Sequence, residues 1–153
     1  MPLALLGLLL FALTAAQARG MIETRLAASE SRDAPLAENM LLWHQAAVAW
    51  RQAHPGFSGT MPSSIPLLPP WYAALAPWHV LVSADGQVST FASASDGIRP
   101  ERLVARLSSA TGNGVNAGRA ANGLIQPPAR AAILAKPSGI PDGAAVIVTL
   151  VNP

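Results

Sequence analysis

The sequence predicts an α+β fold: an N-terminal apolar helix, then one amphipathic helix packed on a small antiparallel sheet, with a second short helix. Three observations predict it. Leu36, Met40, Trp43, Ala47 and Trp50 recur at spacings of four, three, four and three, which is the stripe of a core-facing helix. Asp85-Gly86 sits between two runs of β-formers, a strong hairpin marker. The chain closes on Ala144–Val151, a continuous apolar run suited to a central strand covered on both faces.

With 153 residues, the chain has room for one ordinary domain plus a targeting segment. Charged residues are 12% and apolar residues 51%, a greasy balance for a soluble domain. The formal charge is +2, and the arginines are scattered, with no basic run interleaved with aromatics. Nucleic-acid binding is therefore not expected. There is no cysteine, which excludes disulfides, thiolate metal sites and thiol nucleophiles.

Residues 1–26 read as a hydrophobic N-terminal segment and stalk. Pro2 to Ala18 carries no charge. As a helix this run spans about 26 Å, slightly less than a ~30 Å hydrocarbon layer. It reads either as an uncleaved membrane anchor or as a secretory signal cut after Ala16-Gln17-Ala18. Both exports place the rest of the chain across a membrane. Gly7 is not followed by an acid among Leu8–Ala12, so prepilin-type processing is not expected. Residues 27–34 are polar and read as a hinge, and 35–153 as the exported α+β domain.

In that domain Asp33 is placed to cap the first helix, with Pro35 in its first turn, and the helix is expected over about 35–53. His54-Pro55-Gly56 ends it, with Gly56 offering positive φ. Next comes a proline-dense stretch, with Leu67-Leu68-Pro69-Pro70-Trp71-Tyr72 at its centre, which cannot be helix interior. Ser64 to Trp78 carries no charge. It reads either as a loop covering the core or as a preordered interaction surface, with Trp71, Tyr72 and Trp78 as partner-binding candidates. In the second reading Trp71 is anchored inward and Tyr72 points outward.

The hairpin is expected over 78–83 and 87–92 around Ala84-Asp85-Gly86. Pro100 opens the second helix, Ile98, Leu103, Val104 and Leu107 give it an apolar face, and Thr111–Gly114 ends it. Gly118 to Gln126 reads as a single further strand, and Ala131–Leu134 as a short element of open type. Ser138–Gly143 reads as a turn before the last strand.

No catalytic, cofactor or metal set emerges. His44 and His54 lie about 280° apart around a helix and share no face. They read as a helix-surface residue and a helix C-terminal residue, and His79 as a strand end. Asp85 and Asp142 precede glycines, so turn chemistry accounts for them. There is no Gly-x-Ser-x-Gly elbow, and Gly112-Asn113-Gly114 lacks the lysine of a phosphate loop.

The order of features resembles a known family. The features are an apolar N-terminus, a helix ending in His54-Pro55-Gly56-Phe57-Ser58-Gly59, Leu67–Tyr72, Trp78 opening a hairpin, and a closing Ile140-Pro141-Asp142-Gly143-Ala144-Ala145-Val146-Ile147-Val148. Over roughly 36–151 this resembles the PilM family of type IVb, thin-pilus biogenesis proteins. The resemblance implies pilin-like proportions and a non-catalytic structural or assembly role in a conjugation-type pilus. It implies an inner-membrane protein with a periplasmic domain, or a periplasmic one after signal cleavage, with other pilus-assembly proteins as partners. Two readings of other classes remain open. One is a small exported hydrolase whose His54, His79 and Asp85 converge in the fold. The other is a ligand-binding module using Trp71, Tyr72 and Trp78 as an exposed aromatic platform.

Overall fold

The computed structural model describes residues 32–62, 67–111, 116–128 and 134–151. The N-terminal segment and most of the expected hinge lie outside them. The chain divides into two compact units, Met1–Asp33 and Ala34–Pro153, and the fold is that of the second.

The first helix, α1, runs through residues 32–53. It is already helical at Arg32, so Asp33 lies inside it and is not its cap. Ala37, Met40, Trp43 and Ala47 are buried along the expected stripe, with Leu36 and Trp50 partly buried beside them. The helix stops at His54, whose Nδ1 is 2.8 Å from the Trp50 carbonyl and whose ring stacks on Trp50 at 4.1 Å. Positive φ belongs to Gly59, at 118°, and not to Gly56; the chain turns instead through the Phe57 N–H, which donates to the His54 carbonyl.

Among the described residues seven strands follow: β1 (Gly59–Thr60), β2 (His79–Val82), β3 (Gln87–Ala92), β4 (Asn116–Ala121), β5 (Leu124–Gln126), β6 (Leu134–Ala135) and β7 (Ala145–Leu150). They form one antiparallel sheet in the order β1-β2-β3-β7-β4-β5-β6. The second helix, α2 (Pro100–Ala110), packs against β4 and β7 and buries Leu103, Val104 and Leu107. The β2–β3 hairpin turns at Asp85-Gly86 as expected, with Gly86 at φ 87°.

Residues 118–126 are not one strand. Asn122 and Gly123 take φ 51° and 75° and fold them into the β4–β5 hairpin. Asn-Gly is the pair that tolerates two successive left-handed residues, so the sequence signal was present. Of the expected 131–134 element, Leu134 opens β6, and 131–133 lie outside the described residues.

The closing strand is central, as its apolar run predicts. Ala145 and Ile147 face the helices, together with Val80, Val82 and Val88. Val146 and Val148 face the other side, in a second cluster with Ala120, Ile125 and Ile140. Residues 136–143 help to cover that side. Lys136 Nζ reaches the Ile140 carbonyl at 2.7 Å and Asp142 at 2.9 Å, while the Gly143 N–H donates to the Ala120 carbonyl at 2.7 Å.

Candidate functional site: the aromatic connector

Residues 67–78 connect α1 and β1 to the central hairpin, and a single side chain of α1 organises them. Asn39 lies on the helix one turn before Trp43, at the edge of the buried stripe. Its Oδ1 accepts from the Tyr72 hydroxyl at 2.8 Å, the Leu75 N–H at 3.0 Å and the Trp78 Nε1–H at 2.8 Å. Its Nδ2 donates to the Ala73 carbonyl at 2.9 Å. A proline-dense segment cannot satisfy its backbone through a ladder, so these partners come from the helix instead.

This arrangement reverses the expected orientations. Tyr72 is half-buried, packs on Trp43 with ring centroids 5.8 Å apart, and donates to Asn39. Burial raises its phenol above the ordinary value, with the Trp78 contact working against the shift. Trp78 is buried in the main core. Trp71, expected inward, is 72% exposed. Its neighbours Leu67 and Leu75 are 52% and 56% exposed. Of the three aromatic candidates, only Trp71 is largely exposed to solvent, so no three-ring platform forms.

His44 is not a surface residue. It is 4% exposed, with Nδ1 2.9 Å from the Thr90 hydroxyl and Nε2 2.8 Å from the Thr149 hydroxyl. Desolvation lowers its pKa to about 4, so the ring is neutral at pH 7. Leu41, Gln45, Val48, Gln52 and Thr149 line a cavity of about 260 Å³ beside it. Both ring nitrogens are engaged by threonine hydroxyls rather than by a carboxylate, so the trio is a polar tie between helix and sheet.

The residues considered for hydrolysis take separate partners. His54 bonds the Trp50 carbonyl, His79 lies 3.6 Å from Asp96 and stacks on Phe91, and Asp85 accepts from the Ser83 hydroxyl. Burial works to raise the Asp96 carboxyl, but the Ser93 N–H and hydroxyl and His79 outweigh it, and its pKa is lowered. Among the described residues no group of three metal-ligating side chains gathers. Among them, too, no helix is long and apolar enough to cross a membrane.

Similarity to known proteins settles the family. The PilM family profile matches residues 8–148, most of the chain and all of the connector. The chain belongs to the PilM family. A crystal structure of PilM from Escherichia coli B7A has the same fold, with a TM-score of 0.56 and 17% identity. The match covers 79% of this chain and 94% of that one. No curated protein matches the chain. PilM membership makes this a pilus-related protein. It also places Asn39 and Trp71 inside the family's matched region.

Proposed function

We propose that this PilM-family chain is a non-catalytic structural or assembly component of a type IV pilus system of the thin, conjugation type. The observation that carries the reading is the family match over residues 8–148. In this reading the apolar run 2–18 holds the chain at the inner membrane and the α+β domain works in the periplasm, against other pilus-assembly proteins. The separate partners of His54, His79 and Asp85 fit a structural role better than a hydrolytic one. The α+β domain supplies a rigid body, and the connector supplies exposed apolar side chains held on a preordered backbone.

The test is a strain lacking this chain, complemented with the full sequence carrying a periplasm-active reporter after residue 153. Restored pili together with reporter activity are expected. Normal piliation without the chain, or a reporter active only in the cytoplasm, overturns the reading.

A further inference from the structure

The connector has two sides of opposite character. Tyr72 and Trp78 turn inward to Asn39, and Leu68 and Ala76 pack on the core. Leu67, Trp71 and Leu75 turn outward, separated by proline and alanine and without a charge between them. Three large exposed apolar side chains within nine residues are uncommon on a small domain and mark a contact surface.

Asn39 also fixes where this surface lies. It pins the connector to α1 about 10 Å along the axis from residue 32, and about 20 Å from the opposite end at Ala53. Residues 72–78 of the connector are therefore held nearer the N-terminal end of α1, which follows residues 1–31, than its C-terminal end. That remaining length carries the uncharged run Pro2–Ala18. Only residues 19–31 separate the run from α1, a reach between about 20 Å if helical and about 45 Å if extended.

We propose that Leu67, Trp71 and Leu75 form a membrane-docking surface, which seats the domain on the bilayer that holds the N-terminal run. The inference rests on the anchored reading above. Tryptophan favours the lipid interface, where its ring is buried and its N–H stays wet, and leucine adds apolar area below the headgroups. The segment 64–78 carries no charge, so its docking depends on apolar insertion and is insensitive to salt. A patch this small binds weakly alone, but tethering raises its effective concentration at the surface.

The chain has no cysteine, so single reporters can be placed in the full protein without removing native thiols. Trp71→Cys and Leu75→Cys chains, with Ala53→Cys as control, carry an environment-sensitive fluorophore. They are reconstituted with vesicles of phosphatidylethanolamine and phosphatidylglycerol containing nitroxide-labelled lipid. Circular dichroism and the melting point confirm that each chain is folded. The expected result is flotation with the vesicles, and a blue shift and quenching at 71 and 75 that persist in high salt. The label at 53 should remain in water. Flotation without quenching at 71 and 75 overturns the docking and leaves the anchor standing. Failure to float overturns the anchor and the docking together. A shift at 71 that follows protein concentration without lipid quenching assigns the surface to a second copy, and also overturns the proposal.

Discussion

Asn39 Oδ1 accepts the indole N–H of Trp78 at 2.8 Å, and the same oxygen takes the Tyr72 hydroxyl and the Leu75 N–H. One amide thus holds a segment more than thirty residues away. Asn39→Ala leaves those donors without their acceptor and removes the bond to Ala73. Of these donors only the Trp78 indole belongs to a buried residue, and an unsatisfied buried donor costs about 1–3 kcal/mol, so a loss of about 1–2 kcal/mol is expected in urea unfolding. A change below about 0.5 kcal/mol would show that the connector is held by ring packing alone.

Trp71 and Tyr72 are adjacent and should behave oppositely. Trp71→Ser removes a mostly exposed ring and should leave the melting point nearly unchanged. Tyr72→Ala removes the Trp43 contact and the hydrogen bond to Asn39, and should lower it measurably. If Trp71→Ser destabilises the fold as much as Tyr72→Ala, the exposed position of Trp71 is wrong.

His44 gives stability a definite pH dependence. Its folded-state pKa, near 4, lies below the ordinary 6.5, so between these values the unfolded chain binds a proton that the native chain does not. The stabilisation is complete above pH 6.5 and is lost as pH falls toward 4, by about 3 kcal/mol in all. His44→Gln should flatten this part of the profile. NMR of the native chain provides an independent check: the His44 imidazole should remain neutral at pH 5, and an ordinary titration near 6.5 would remove the effect.

Trp43 is buried in the main core and packs on Tyr72 of the connector. Trp43→Ala should cost about 3–5 kcal/mol, the range for emptying a large aromatic site. A cost under about 1 kcal/mol would mean that the α1 stripe does not face the sheet.

Gly86 combines two constraints. Its φ is 87°, and an added Cβ would lie 2.4 Å from the Val151 carbonyl oxygen. Gly86→Ala should cost more than the ~1 kcal/mol of left-handed backbone alone, because that oxygen belongs to main chain and cannot swing away. Val151 N–H donates to the Gly86 carbonyl, so the same substitution should speed amide exchange at Val151.

Elements with a local cause were legible. The Leu103-Val104-Leu107 stripe, the Asp85-Gly86 turn and the apolar run of β7 each state their structure within a dozen residues, because helix and strand periodicity act at short range. The β4–β5 hairpin was also legible, in Asn122-Gly123, but the alanine-rich strands around it lack the alternation that marks two strands. The Asn39 hub had a weaker sign: a polar amide one turn before a core tryptophan.

The candidate site depended on contacts distant in sequence. A proline-dense segment has no hydrogen-bonded period, so nothing within it tells Trp71 from Tyr72. Tyr72 turns inward because Asn39 and Trp43 wait there on another element. His44 likewise reads as surface from α1 alone, yet it meets threonines 46 and 105 residues away on β3 and β7. By itself the sequence determined the two helices of the domain, the hairpin around Asp85-Gly86, that the last strand is central, and the resemblance to PilM. Only the tertiary structure decided which aromatic ring faces solvent and which histidine is buried neutral. Those outcomes depend on which side chains from remote elements fill the available volume and satisfy the polar groups within it.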